Sequence, residues 1–168
     1  FFFFFFKIIF LKKKKKKKKK KRSDHPNNVK RRSVCVYIKN SLSTRICNIS
    51  NLNECVVIEL NINKKKGYII SLYRSPSQST DEFDEFLIKF DQTLHDICSL
   101  NPSFTMILGD FNAKSTSWCD HDITSAEGFR IESLTSFYSF TQLISTPTHI
   151  LPTSSSCIDL IFVDQPNI

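Results

Sequence analysis

Apolar and polar positions change period several times along this chain, and each change marks an element. Ser33–Lys39 alternates and predicts a half-buried strand, turned at Asn40-Ser41. Glu54–Leu60 predicts a second strand. The polar residues 61–66 with Gly67 predict a hairpin turn into Tyr68–Tyr73, a continuous apolar strand of the fully buried kind. From Thr80 the spacing switches to three and four. Phe83, Phe86, Leu87, Phe90, Leu94, Ile97 and Cys98 make one apolar helix face, acids sit in the first turn, and Asn101-Pro102 stops the helix. Phe104–Leu108 predicts a buried strand that Gly109 ends. A polar loop over 113–126 holds the only Trp, Trp118, expected to pack the loop down. A second helix is predicted over 127–140, with Phe129, Leu134, Phe137 and Tyr138 as its apolar positions. A short strand at 142–144, a turn at Pro147–His149 and a last strand at 157–163 follow. Strands mixed with two helices predict an α/β layered fold, and no internal repeat is visible.

Composition changes this picture at one end only. The net charge of +8 is not spread over the domain: residues 1–32 hold 15 of the 24 Lys and Arg and one of the 16 acids. The remaining 136 residues carry 9 basic and 15 acidic groups, a net of −6. A basic, low-complexity Phe/Lys leader (1–32) thus precedes a mildly acidic domain (33–168), and any nucleic-acid argument from overall charge concerns the leader alone. Residues 1–11 are apolar apart from Lys7, too short for a bilayer, which needs about 20 residues, and the order of apolar run and charge is wrong for a signal peptide. The Lys run 12–21 repels itself and predicts disorder. Phe and Lys homopolymers match translated T-rich and A-rich DNA, and the only Met is Met106. The leader is therefore expected to be a scar of gene prediction or insertion, outside the fold. Six Cys without a CxxC pair point to a reduced, intracellular setting, and Cys119-Asp120-His121 has no second cluster to complete a metal site.

The candidate chemistry lies in Gly109-Asp110-Phe111-Asn112-Ala113, just past a strand tip, where open α/β sheets bind ligands. With Phe111 buried between them, Asp110 and Asn112 present a carboxylate and a carboxamide to one point. Such a pair can orient a water and accept its proton, or ligate a hard cation through oxygen. The same tetrapeptide is also an ordinary turn composition. Asp159 stands in an otherwise apolar strand, where an acid is costly unless paired or catalytic.

Four stretches in order carry a resemblance: Leu72–Pro76 (with Tyr73 and Arg74), Gly109–Ala113, Pro147–His149, and Ser156–Phe162 (with Asp159). Together they resemble the endonuclease/exonuclease/phosphatase superfamily. The likeness is greatest to the apurinic-type endonuclease domain that opens the polyprotein of non-LTR, LINE or jockey-like retrotransposons. The resemblance covers residues 33–168 and implies part of a four-layer α/β sandwich. It implies Mg2+-dependent attack on a DNA phosphodiester in target-primed reverse transcription, in the nucleus, with DNA as partner and neither membrane nor obligate protein partner. Carried over, Tyr73 contacts the scissile phosphate or attacking water. Asp110 orients and deprotonates that water, Asn112 holds it or the phosphate, and both would ligate the metal. Asp159 fixes the catalytic histidine, and Thr148 matches a substrate-loop threonine. Arg74 is added on physical grounds as a phosphate contact.

In the family an early Asn and a metal-binding Glu lie upstream, at positions that here fall in the leader, and a final strand ends in Ser-Asp-His, beyond Ile168. The resemblance thus implies a domain truncated at both ends and inactive as it stands. Two other readings accompany it: a phosphoesterase of the same superfamily on a lipid or nucleotide substrate, and a non-enzymatic module tethered to nucleic acid through the Lys-rich leader.

Overall fold

The structure, a computed structural model, describes residues 20–24 and 33–165. Among the described residues, ten strands and two helices run in the order β1 (Lys20–Asp24), β2 (Ser33–Tyr37), β3 (Ser43–Cys47), β4 (Cys55–Ile62), β5 (Lys65–Tyr73), α1 (Thr80–Ser99), β6 (Phe104–Asp110), α2 (Ala126–Phe137), β7 (Thr141–Gln142), β8 (His149–Leu151), β9 (Ser154–Ser156) and β10 (Asp159–Val163). A six-stranded sheet, ordered β3-β4-β5-β6-β10-β7, forms the middle layer. Only β5 and β6 pair in parallel, joined by the α1 crossover; every other pairing is antiparallel. The expected α/β layered fold is present.

The β4–β5 connection shows how local chemistry sets register. Ile62 pairs with Lys65, leaving a two-residue turn in which Asn63 (φ 49°) and Lys64 (φ 66°) are both left-handed. Positive φ at both central residues gives the turn whose twist matches the flanking strands. Helix α1 starts at a reciprocal cap: the Ser79 hydroxyl accepts from the Glu82 N–H at 3.3 Å, and the Glu82 carboxylate accepts from the Ser79 N–H at 2.8 Å. Its predicted apolar face is the buried one except at Cys98, which is exposed; Phe90, Leu94 and Ile97 are wholly enclosed. Burying a side chain of this size is worth about 1.5–3 kcal/mol.

That face meets the sheet through Val57, Tyr68, Ile70, Leu72, Ile107, Leu160 and Phe162. A run of rings, Phe86–Phe90 (5.7 Å), Phe90–Phe111 (6.1 Å) and Phe111–Phe162 (5.4 Å), ties the helix to the turn after β6. Trp118 packs edge-on to Phe162 at 5.8 Å and is 6% exposed, so it does hold the polar loop down. On the opposite face, Val34, Val36 and Ile38 cover Val56, Ile58, Leu60, Ile69 and Leu108. The protein is thus three layers deep: helices, sheet, and the β1–β2 ribbon.

Several expectations need correction. The leader was expected to lie wholly outside the fold, yet Lys20–Asp24 pairs along the full length of β2, whose edge would otherwise present open hydrogen-bonding groups. The predicted disorder of 12–21 falls otherwise on residues outside those described. Two elements lacked any prediction, β3 and the β8–β9 hairpin; both are short and exposed. Phe129 and Phe137 are 65% and 79% exposed, because α2 turns Gly128, Ile131 and Thr135 inward instead. Gly109 does not end β6, which runs through Asp110. None of the six cysteines is in a disulfide, and no described helix is long and apolar enough to cross a membrane.

Gly109 serves a close approach: a Cβ there would strike the carbonyl oxygen of Leu72 on the parallel neighbour. Gly109→Ala is therefore expected to destabilise the protein by about 1–3 kcal/mol or more, read as a lower midpoint in urea unfolding.

Candidate active site

Three strand ends meet at one edge of the sheet. Tyr73 closes β5, Asp110 closes β6 and Asp159 opens β10. The register sets Tyr73 opposite Asp110 in the parallel pair and Asp110 opposite Asp159 in the antiparallel pair. Paired residues point to the same face, with Cβ atoms about 4.5–5.5 Å apart across an antiparallel pair. The face follows from alternation: Ile69, Leu108 and Ile161 belong to the β2 side, while Ile70, Ile107 and Leu160 belong to the helix side. Tyr73, Asp110 and Asp159 share parity with the first set. They form one row, half-buried, on the β2 side.

The turn after Asp110 brings the carboxamide alongside. The backbone N–H of Asn112 donates to Asp110 Oδ1 at 3.0 Å, and Asn112 takes φ 45°, a left-handed conformation that Asn tolerates better than most residues. Phe111, fully buried beneath them, anchors the turn, as expected from sequence. The Asn112 Nδ2 donates to the carbonyl of Arg74 at 2.7 Å, leaving Oδ1 as the oxygen it presents.

Asp159 is fixed by three consecutive backbone donors. The N–H of Cys157 reaches the buried Asp122 Oδ2 (2.9 Å), and those of Ile158 and Asp159 both reach Thr148 Oγ1 (3.1 and 3.0 Å). Thr148, expected in a substrate-binding role, is exposed, and its hydroxyl oxygen accepts from the chain that enters β10. Arg74 was expected at a phosphate, but it is 3% exposed and its guanidinium faces carbonyls of the Asp110–Asn112 turn. Sequence reasoning missed Asp122 altogether, since a lone Asp in a polar loop carries no signal of burial.

Burial raises the Asp110 pKa to about 6 from its ordinary 3.8, and the neighbouring Asp159 charge adds to the rise. The Asn112 N–H and the Arg74 charge oppose it. A carboxylate titrating near 6 is ionised at neutral pH and close enough to it to take a proton efficiently. Among the described residues no three His, Cys, Asp or Glu side chains gather to hold a metal. The oxygens at hand, the Asp110 and Asp159 carboxylates in register and the carboxamide of Asn112, whose backbone N–H bonds Asp110, are hard donors of the kind a Mg2+ ion takes one or two at a time. A cleft of about 270 Å³ borders Tyr73 on the α1 side, lined also by Leu52, Glu54, Gln78 and Phe86, but Asp110, Asn112 and Asp159 do not line it.

The raised Asp110 pKa has a consequence for stability. The unfolded carboxyl titrates near 3.8 and the folded one near 6, so the folded state binds the extra proton between those values. The ionised group therefore costs stability fully above pH 6, and the cost vanishes below about pH 4. Asp110→Asn, which keeps the acceptor for Asn112, is expected to stabilise the protein at pH 7 by about 1–3 kcal/mol and not at pH 3.5. Thermal melts at the two pH values check it.

Comparison with known proteins identifies the family and the fold. A family profile described as endonuclease-reverse transcriptase matches residues 67–168. The endonuclease domain of TRAS1, a telomere-specific non-LTR retrotransposon, superposes with a TM-score of 0.70 at 18% identity, over 86% of this chain and 64% of that one. The human Nocturnin catalytic domain gives 0.56 at 13% identity, over 87% and 61%. The 3′-5′ exonuclease NExo of Neisseria meningitidis gives 0.54 at 14% identity, over 86% and 66%. The chain thus spans about two thirds of the length of these solved domains. No curated protein matches it at a significant level. The matched profile includes all four motif stretches quoted from the sequence, and the chain belongs to the endonuclease–reverse transcriptase family of the endonuclease/exonuclease/phosphatase superfamily.

Proposed function

We propose that this chain is a remnant of a retrotransposon endonuclease domain whose parent nicks DNA phosphodiesters with Mg2+, exposing a 3′-hydroxyl for target-primed reverse transcription in the nucleus. The observation that carries the reading is the row Tyr73–Asp110–Asp159, in register across three strands, with Asn112 bonded back to Asp110.

In this reading Asp110 accepts the proton of the attacking water at a carboxylate oxygen, as its pKa of about 6 suits. Asn112 orients that water through Oδ1, and the Tyr73 hydroxyl donates to a phosphate oxygen. The water oxygen bonds to phosphorus as the bond from phosphorus to the 3′ oxygen breaks. A 5′-phosphate and a 3′-hydroxyl result, the leaving oxygen taking its proton from solvent. Asp110 and Asn112 would hold Mg2+, which when bound neutralises charge on the phosphate. Asp159 acts electrostatically on Asp110 and supports the histidine that the family pattern sets beside it.

The chain by itself is proposed not to turn over. The described residues bring two carboxylates to the row and no third Asp, Glu, His or Cys, and losing members of a cooperating catalytic set costs orders of magnitude in rate. With supercoiled plasmid and Mg2+, the 168-residue chain is expected to give no nicked circle above background. Flanking residues 33–163 with the first and last strands of the TRAS1 domain should restore nicking, and Asp110→Asn should then cut the rate by about 10²–10⁴-fold. Nicking by the unaltered chain that depends on Asp110 would refute the inactivity. A chimaera that cleaves a lipid or nucleotide phosphoester but not plasmid would refute the substrate.

A further inference from the structure

We propose that Arg74 is the positioning residue of this site, holding the Asp110-Phe111-Asn112 turn in the conformation that keeps carboxylate and carboxamide side by side. The inference rests on reading Asp110 and Asn112 as the working pair.

All three carbonyls of the turn end on this one residue. The Arg74 backbone N–H donates to the Asp110 carbonyl at 2.9 Å, Nε donates to that of Phe111 at 2.5 Å, and Nη2 donates to that of Asn112 at 2.5 Å. In return the Arg74 carbonyl accepts from Asn112 Nδ2 at 2.7 Å. Nη1 donates to the Ser75 carbonyl (3.2 Å) and to Gln78 Oε1 (3.3 Å), so four of the five guanidinium N–H groups are spent inside the protein. The guanidinium lies 5.2 Å from the Phe83 ring centroid, and burial lowers its pKa. Both are features of a desolvated group rather than one poised for a solvated phosphate.

The turn needs such a hold. Asn112 sits at φ 45°, and left-handed non-glycine residues persist only where their surroundings over-determine them. A planar fork aimed at two successive carbonyls supplies that constraint, and a lysine ammonium, a single point charge on a flexible stem, does not reproduce it. Arg74 follows Tyr73 directly, so the residue that ends β5 in the site row and the one that shapes the β6 turn are chain neighbours. Any shift of β5 would move both.

The test uses the 15N-labelled full chain without DNA or metal. In the wild type, the Arg74 Nε–H is expected to exchange with water at least about tenfold more slowly than that of Arg45, whose side chain is 71% exposed. In Arg74→Lys, the sheet amides of Ile58, Ile70 and Leu160 should keep their resonances. The Phe111 and Asn112 amides and the Asn112 side-chain NH2 pair should shift or broaden. Wild-type-like Asn112 resonances in Arg74→Lys would overturn the proposal, as would uniform perturbation of the whole sheet, which marks a general stabiliser. If Arg74→Lys does not fold, the wild-type exchange comparison decides: equal rates for Arg74 and Arg45 overturn it. A failed nicking experiment leaves these readouts untouched, so the two proposals fall separately.

Discussion

Everything at the site depends on the parallel pairing of β5 with β6. Side chains alternate along a strand, so a slip of one residue would carry Asp110 to the helix face and bring Gly109 to the row. The register is fixed from three directions. Helix α1 crosses over between the two strands and buries Phe90, Leu94 and Ile97 against them. Gly109 lets the backbones approach where a side chain would meet the Leu72 carbonyl. The ladder then continues beyond the strand ends, with the Arg74 N–H on the Asp110 carbonyl and the Phe111 N–H on that of Ile158. The chemistry of the row is thus a by-product of how tightly the middle of the sheet is registered.

The elements legible in the sequence were those with a long, regular period. The α1 stripe repeats over five turns, and β4, β5, β6 and β10 are dense in β-branched and aromatic residues, so burial and local preference agree. Strand β3 was illegible because it is an edge strand with little to bury, held by pairing and by the Arg45–Glu59 ion pair at 2.8 Å. The β8–β9 hairpin is serine-rich and exposed, although Pro152-Thr153 between two extended runs is a turn signal that could have found it. Helix α2 was misread in its facing. Its close approach to the loop puts Gly128 where a Cβ would meet the Lys114 carbonyl, so the face with Gly128, Ile131 and Thr135 turns inward and two phenylalanines outward.

Within the site, the residues that form the row are legible in the sequence; the part played by the residues that hold it is not. Thr148, Asp122 and Arg74 act through backbone atoms far away in sequence. Hydrogen bonds of that kind leave no pattern in residue spacing, because the partner is a carbonyl or an N–H that every residue has. An arginine beside a tyrosine reads equally as a phosphate contact or a buried clamp until its exposure is known.

The row also gathers costs that the rest of the fold avoids. Two carboxylates face each other, Asn112 is left-handed, and two residues inward on the same face the buried Ser71 hydroxyl has no hydrogen-bond partner among the described residues. Violations of this kind concentrate where structure is shaped for chemistry rather than stability. The two carboxylates are, moreover, held through different side chains: Asp110 through the Arg74 turn, Asp159 through Thr148 and Asp122. The two anchors meet where the Phe111 N–H donates to the Ile158 carbonyl at 2.8 Å. The separation between the charges is therefore set by the β6–β10 ladder, a spacing of backbone hydrogen bonds, and mutual repulsion cannot be relieved by letting one loop drift. Burial is the chief reason that Asp110 titrates near 6; a neighbouring carboxylate that the sheet does not let move away adds to the rise, and a nearby cation or proton has something to gain by binding.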